Sequence, residues 1–362
     1  MRLQILLVLS LFSLILQAEP VKIETIQFTE KAKEWDFEPE IYVPFVVANQ
    51  YKVAKKINDY LYINLLGTLA PNKLSDGIHR KITDDDDDPI AGVTSMQSSV
   101  LLNNKKVLSL QLDSEFCGAY CEEYAQNYSF DLHTGRHLTL ADLFTQEGLK
   151  HLHENFYQAH VLRIRQEIKR LEKKAPDTTD KNDAIIMYQS CLVDNSRWHK
   201  ERVASRNFRE IEHFSIDAKG IIFTHGRCSN HAMRALDSID KFRKSYTFQS
   251  LKPFLTSYAK YLLLDGDAQF EQPSEITGQV YYGSIGKAPI TFLIDHKSDD
   301  KVIRALYFYD QYRQPIALSG TLNEWIEKKN QLNEAKIIVQ WRAGVAVGEW
   351  RGNKVLPFKI AP

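Results

Sequence analysis

The chain has 362 residues, and its 46 lysines and arginines are balanced by 46 aspartates and glutamates. This balance gives no electrostatic reason to expect binding to nucleic acid, to a membrane surface or to a strongly charged polymer. The length predicts two domains, or one large domain and a small one.

The first residues have the pattern of an export signal. Arg2 precedes a largely apolar run over residues 3–16, and Ala18 precedes a Glu-Pro pair. We interpret residues 1–18 as a signal peptide that is cleaved after Ala18. The alternative is an uncleaved anchor, but the apolar run is shorter than the roughly 20 residues of a membrane-spanning helix. The predicted location is therefore periplasmic or secreted, with no membrane span after cleavage.

Residues 19–265 are predicted to form one module. We expect two strands within 21–46, a helix over 49–66 and a long loop over 67–90. Five successive aspartates at 84–88 suggest calcium ligands, but calcium loops alternate their ligands with spacers and a glycine. A solvated acidic loop is the interpretation we favour.

The middle of the module combines alternating strands with helices. Gly135 ends a His-Thr-Gly turn and is suited to a positive φ. Thr139 and Asp142 have the spacing of a capping box, which predicts a short helix. The predicted strands cover 93–102, 106–113, 127–132, 211–217, 220–225 and 245–249, and the predicted longer helices cover 147–174, 181–190 and 254–264.

A polar segment at 266–276 is predicted to be a linker. Residues 277–362 contain about seven short strand signals, and Gly352-Asn353 marks a hairpin between two apolar runs. They predict a small antiparallel sheet or partial barrel. The predicted fold class is thus α+β, with an N-terminal mixed sheet packed with helices and a small antiparallel β domain after it.

The four cysteines are expected to form disulfides, because an even number is typical of exported chains. We favour pairing Cys117 with Cys121 and Cys191 with Cys228. Four steps of a strand span roughly 13 Å, whereas a disulfide joins Cα atoms about 4.4–6.8 Å apart, so residues 118–120 must turn back. Free thiols or a metal site are the alternatives. Metal binding is disfavoured, because no CxxC motif or nearby histidine pair completes a ligand set.

Familiar catalytic motifs are absent from the sequence, which contains neither G-x-S-x-G nor H-E-x-x-H. His151 and His153 are two residues apart on a predicted helix and cannot chelate one ion together. His225 and His231 flank Cys228, which would suit a cysteine–histidine nucleophile pair. A disulfide at Cys228 leaves no thiolate and excludes that chemistry. No metal and no cofactor is predicted.

Short stretches between about residues 35 and 255 carry a resemblance to a known family. They are Pro44, Ile57-Asn58, Gly118-Ala119, Ser129-Phe130-Asp131, Thr134-Gly135, Leu140-Ala141-Asp142-Leu143-Phe144, Gly220-Ile221-Ile222-Phe223, His231-Ala232, Tyr246-Thr247-Phe248 and Leu251-Lys252-Pro253-Phe254-Leu255. On these residues the chain resembles an extracellular bacterial module of unknown function. The module is found in a lysozyme-sensing anti-sigma factor and beside peptidoglycan-deacetylase domains. Tyr120-Cys121 stands where many members carry His-Pro, so no role of that histidine is carried over.

The C-terminal region is similar to small β-domains of hypothetical bacterial envelope proteins. The matching residues are Gly283, Ile285, Gly286, Pro289, Ile290, Tyr307, Tyr309, Leu318, Gly320, Gly348, Trp350, Leu356, Pro357 and Phe358. Glycine turns, strand ends and a tryptophan are typical of architecture, and the similarity implies no reaction.

These features together predict a non-catalytic exported envelope protein that binds a protein or cell-wall ligand. Gly118, Ala119 and Tyr120 are the predicted ligand-binding residues, because a short disulfide ring removes conformational freedom before binding and tyrosine is favoured at interface centres. The resemblance implies lysozyme or a peptidoglycan-related component as the ligand. The alternatives are an inward-packed Tyr120, an envelope-polymer hydrolase with an unrecognised active site, and a purely structural envelope protein.

Overall fold

The computed structural model describes residues 20–29, 39–78, 80, 89–174, 178–208, 213–264, 266, 270, 273, 275–297, 302–327 and 335–362. The predicted signal peptide and the acidic run lie outside these residues. No helix in the described ranges is long and apolar enough to cross a membrane.

The N-terminal part is built on a five-stranded mixed sheet whose strands lie side by side in chain order. The second strand, Glu40–Val47, and the third, Val93–Asn103, run parallel, and all other neighbours are antiparallel. A parallel pair needs a long crossover, and helix α1, Tyr51–Leu66, supplies it while burying Ile57 and Leu61 completely. The strands are β1 Lys22–Phe28, β2 Glu40–Val47, β3 Val93–Asn103, β4 Val107–Cys117 and β5 Cys121–Asp131.

Local sequence signals determine the turn and the short helix that follow β5. Gly135 has a φ of 71°, in the left-handed region that favours glycine. The Thr139 hydroxyl accepts a hydrogen bond from the Asp142 N–H, and the Asp142 carboxylate accepts one from the Thr139 N–H. This capping box begins helix α2, Leu140–Leu143, as predicted.

Two long helices follow, α3 over Gln146–Glu172 and α4 over Thr179–Ser205. The prediction of a helix over 181–190 was too short, because Cys191 lies inside α4 and does not mark its end. Few residues of α4 are buried, so its apolar spacing is a weak signal. The helix ends at Ser205, and its C-cap residue Arg206 has a φ of 54°, in the left-handed conformation.

A three-stranded antiparallel sheet packs with these helices. Its aromatic core includes Phe144, Phe156 and Phe223, all almost completely buried. The strand predicted at 245–249 begins three residues earlier, at Phe242, and ends at Thr247. The remaining elements of this part are β6 His213–Ile216, β7 Gly220–His225, β8 Phe242–Thr247, α5 Phe248–Leu251 and α6 Ser257–Leu263.

The C-terminal part is a closed antiparallel barrel, with one strand more than the seven predicted from the sequence. Closure pairs its last strand with its first, and Phe358 lies opposite Ile285. At Gly283 a Cβ atom would lie 1.8 Å from the carbonyl oxygen of Lys359, so closure requires glycine there. The strands are β9 Gln279–Ile285, β10 Ala288–Lys297, β11 Ile303–Tyr309, β12 Pro315–Gly320, β13 Glu324–Glu327, β14 Lys336–Arg342, β15 Val345–Arg351 and β16 Val355–Ala361.

The outside of the barrel shares a hydrophobic core with the first sheet and α1. Val280, Leu293 and Phe308 of the barrel belong to that core. The guanidinium of Arg313 donates a hydrogen bond of 2.8 Å to the carbonyl oxygen of Ala70, just beyond α1. The division of the chain at 266–276 remains a proposal, and these contacts join the parts on either side of it.

Candidate binding site at the disulfide-closed hairpin

The hairpin between β4 and β5 ends in a disulfide. Cys117 and Cys121 are opposite each other in the strand register, with Cα atoms 4.0 Å apart, and their sulfurs are bonded. The turn between them is closed by a hydrogen bond of 3.1 Å from the Gly118 N–H to the Tyr120 carbonyl oxygen. The expected reversal over 118–120 is therefore present, and Gly118, Ala119 and Tyr120 are all exposed.

Tyr120 projects from this turn and does not pack inward. Its side chain is 64% exposed. One face of the ring stacks on the imidazole of His231, with ring centroids 4.4 Å apart and an interplanar angle of 22°. The tyrosine is thus supported by a ring from a distant part of the chain while most of its surface faces solvent.

His231 is held in place by a carboxylate on the hairpin. Its Nδ1 lies 2.7 Å from Glu122 Oε1, and the Arg227 guanidinium donates to both oxygens of Glu122, at 2.5 and 2.9 Å. Arg234 Nη1 lies further away, 3.9 Å from Oε2. The hydrogen bonds from Arg227 and then from His231 lower the pKa of Glu122 to about 2. At neutral pH the carboxylate is therefore a charged anchor for the histidine.

A second disulfide fixes the loop that carries Arg227 and His231. Cys228 is bonded to Cys191 on α4, as predicted. The Asp237 carboxylate accepts hydrogen bonds from the Ser229 N–H at 3.0 Å and from the Tyr188 hydroxyl at 2.9 Å. The loop is therefore attached to α4 at two points, through Cys228 and through Asp237.

We call the exposed surface formed by Phe116, Tyr120, Glu122, His231 and Arg234 the tip surface. Sequence reasoning placed Tyr120 on it and noted His231 beside Cys228. It missed Glu122, Arg227 and Arg234, because their contacts with one another join segments more than 100 residues apart. The only sequence signal for the ordered loop that carries these residues was the second cysteine pair in the same module.

Metal binding has one geometric candidate in the part of the chain that the structure describes. Glu115, Cys117 and Cys121 could offer three ligand atoms within 4.8 Å of one another. Both sulfurs are bonded to each other, so neither is a thiolate and the group does not form a metal site in the oxidised protein.

Paired histidines lie between α3 and α4. His153 Nε2 is 3.0 Å from His199 Nδ1, and His199 Nε2 is 3.5 Å from a Glu154 carboxylate oxygen. Burial lowers the pKa of His153 to about 4, so the ring is neutral at neutral pH. The other described contacts of the two rings are with the rings of Trp198, Phe208 and Tyr157.

His160, also on α3, is a second buried histidine. His160 Nδ1 is 3.1 Å from the Asn195 amide oxygen, and its ring packs beside His225, with centroids 4.7 Å apart. Cys228 is bonded to Cys191, so the nucleophile pair considered for Cys228 with His225 or His231 is excluded in the oxidised protein.

Comparisons with known proteins give a distant likeness. No family model and no curated protein matches the chain. Two solved structures of the DUF3298 family, one from Bacteroides fragilis and one from Pseudomonas aeruginosa, are similar to it with identities of 14% and 12% and TM-scores of 0.36 and 0.35. Each alignment covers 67% of this chain and 96% of the other.

Proposed function

We propose that this is a non-catalytic exported envelope protein that binds a protein or cell-wall ligand through the tip surface. The observation that carries the proposal is the state of Tyr120, which is 64% exposed and yet held by a disulfide ring and by His231. An exposed aromatic ring that is already ordered loses little conformational entropy on binding.

The order of the tip surface comes from a continuous series of contacts. The Cys117–Cys121 bond closes the turn, Glu122 holds His231 and Arg227, and the Cys191–Cys228 bond holds the loop. The Cys117–Cys121 bond closes the turn that carries Tyr120, and the Cys191–Cys228 bond packs against the hydrophobic cluster between α3 and α4 and anchors the loop that carries His231. This placement supports recognition as the role of the disulfides, in addition to stability.

The neighbours of Tyr120 give the surface a mixed chemistry. Phe116, which is 42% exposed, is paired across the hairpin with Glu122. Arg234 has only a long contact to Glu122 and presents a partly exposed guanidinium. Tyrosine and arginine are among the residue types enriched at interface hot spots, which supports binding by this surface.

Export is part of the proposal. Two disulfides fit an oxidising compartment outside the cytosol, and residues 1–18 have the pattern of a cleaved signal. We therefore propose a periplasmic or secreted protein with a module over 19–265, a linker over 266–276 and a small β domain over 277–362.

Lysozyme and peptidoglycan are the first ligands to test, on the sequence resemblance alone. The purified oxidised protein would be immobilised and exposed separately to lysozyme and to peptidoglycan. We expect one of them to be retained by the wild type and lost from Tyr120→Ala. Tyr51→Ala is the matched control, because Tyr51 is 57% exposed and lies on α1, away from the hairpin.

The outcome of this experiment separates the three hypotheses. Retention that is equal in wild type and Tyr120→Ala would remove the tip surface from the proposal. Retention of neither ligand, combined with turnover of cell-wall or ester substrates, would favour a hydrolase. Retention of neither and no turnover would leave a structural envelope protein as the better description.

A further inference from the structure

A carboxylate and two sulfur atoms lie together at the closed end of the hairpin formed by β4 and β5. A carboxylate oxygen of Glu115 and the sulfurs of Cys117 and Cys121 lie within 4.8 Å of one another. Glu115 and Cys117 are two residues apart on β4 and therefore share a face of the sheet. Cys121 is opposite Cys117 in the strand register. Strand pairing, and not the disulfide alone, thus brings the three groups together.

A hydroxyl from the neighbouring strand orients this carboxylate. Thr94 lies where the register between β3 and β4 shifts, and its hydroxyl donates a hydrogen bond of 2.5 Å to Glu115 Oε2. The same hydroxyl is 3.9 Å from Cys117 Sγ. Hydrogen bonds that orient a ligating carboxylate are a regular part of metal sites. Glu115 and Cys117 are half-buried and Cys121 is exposed, so an ion can reach the group from solvent.

The oxidation state of the two cysteines determines whether their sulfurs can bind an ion. In the disulfide neither sulfur is a thiolate. A dithiol reductant breaks the S–S bond by thiol–disulfide exchange: it gives up two electrons and two protons, becomes a disulfide itself and leaves two thiols on the protein. A divalent ion that binds both sulfurs then displaces the two thiol protons. We expect the ladder between β4 and β5 to keep the cysteines opposite each other throughout.

We propose that the reduced hairpin binds one zinc ion through Glu115, Cys117 and Cys121, and that the disulfide blocks this site in the oxidised protein. Thiolates select zinc over the hard cations calcium and magnesium. A tetrahedral ion with Zn–S bonds of about 2.3 Å holds two sulfurs about 3.8 Å apart. That separation fits within the 4.8 Å that encloses the three ligand atoms. Water supplies the fourth ligand, as at other zinc sites with three protein ligands.

This site goes beyond the function proposed for the tip surface, because zinc binding is measured without the ligand of that surface. It adds a consequence for Tyr120, which lies between the two cysteines. Reduction followed by zinc binding would exchange a disulfide-closed turn for a metal-closed one.

The test is titration of the purified protein with cobalt(II), which occupies zinc sites and gives characteristic absorption bands when thiolates bind it. Limited reduction with dithiothreitol, removed under nitrogen before the titration, should open the hairpin disulfide first, since Cys121 is exposed whereas Cys191 and Cys228 are half-buried. Mass spectrometry after alkylation identifies the reduced pair. We expect one cobalt ion per reduced protein, thiolate bands that zinc abolishes, and no such bands from the oxidised protein.

Variants identify the ligands. Glu115→Gln should weaken cobalt binding at least about tenfold. Glu123→Gln is the matched control, because Glu123 is opposite Glu115 in the register but outside the group of ligand atoms, and it should bind nearly as tightly as the wild type. The paired variant Cys117→Ser with Cys121→Ser should give no thiolate bands, and the pair Cys191→Ser with Cys228→Ser should keep them.

Circular dichroism would establish that the reduced protein and each variant are folded. If Glu115→Gln does not fold, Thr94→Val takes its place, since it removes the hydrogen bond to the carboxylate and leaves all three ligands, and it should weaken binding several-fold. The proposal is overturned if the folded protein with a reduced hairpin gives no thiolate bands, if the oxidised protein gives the same bands, or if the folded variant retains wild-type affinity.

Discussion

The carboxylate of Asp59 on α1 accepts a hydrogen bond of 2.8 Å from the hydroxyl of Tyr282 on β9, which joins two parts of the chain 223 residues apart. Asp59 is completely buried, and it also pairs with Lys55 at 2.5 Å and accepts a hydrogen bond from the Ala70 N–H. Lys55 Nζ in turn lies 4.6 Å from the centroid of the Tyr282 ring. The barrel is therefore attached to the first module by a polar contact as well as by apolar packing.

Removing this hydrogen bond should destabilise both parts together. We expect Tyr282→Phe to lower the free energy of unfolding by about 2 kcal/mol, because a buried carboxylate loses a donor. Urea unfolding measures the change, and Tyr312→Phe on the exposed surface is the control. A double-mutant cycle with Asp59→Asn should give a coupling of about 1 kcal/mol or more. Equal stability of Tyr282→Phe and Tyr312→Phe would mean that the contact is not stabilising.

The two disulfides should differ in their contribution to stability. The Cys191–Cys228 bond closes a sequence separation of 37 residues, and the Cys117–Cys121 bond closes one of 4. In the chain-entropy description, their removal costs about 4 and about 2 kcal/mol respectively. Paired cysteine-to-alanine variants, compared by urea unfolding, measure the difference. A larger loss for the hairpin disulfide would contradict the expectation.

The buried histidines should make the fold sensitive to mild acid. Burial lowers the pKa of His160 to about 4, below its usual 6.5. Between these values the unfolded chain binds more protons than the folded one, so the free energy of unfolding falls as the pH falls from about 6.5 to about 4. His160→Gln should reduce this loss by on the order of 2 kcal/mol. Urea unfolding of the wild type and of His160→Gln, each measured at pH 7 and at pH 4.5, provides the check. The same pH dependence in both proteins would count against the expectation.

The charge on Glu122 should depend on Arg227. Its pKa is lowered from 4.5 to about 2, so the stability that it contributes is present above pH 4.5 and lost as the pH falls towards 2. Arg227→Gln should raise the pKa of Glu122 towards 4.5 because the largest cause of the shift is removed. Carbon-detected NMR titration of the Glu122 carboxyl group measures this pKa in the wild type and in the variant. A value that stays near 2 in the variant would show that Arg227 is not the cause.

Much of the local structure could be predicted from the sequence where one residue type determines the geometry. Gly135 predicted a turn, Thr139 and Asp142 predicted a capped helix, and the spacing of Cys117 and Cys121 predicted a reversal. Each of these depends on residues within five positions of one another, so the physical constraint is visible in a short window.

Closure of the barrel and assembly of the tip surface could not be predicted in this way. Gly283 is recognisable as essential only when β16 lies beside it, and Glu122 acquires its role only when Arg227 and His231 approach across the fold. The length of α4 was underestimated because most of its residues are not buried and leave little apolar periodicity. Long-range contacts and exposed helices are the features that a local pattern describes least well.

We propose that two disulfides hold one exposed tyrosine, Tyr120, ready for binding and leave no cysteine to attack a substrate. Peptide mapping by mass spectrometry of the unreduced protein, recovered from its native compartment, tests it most directly. We expect two linked peptide pairs, Cys117 with Cys121 and Cys191 with Cys228, and a mature chain that begins at residue 19. Four free thiols, or a bond between Cys121 and Cys228, would contradict the claim.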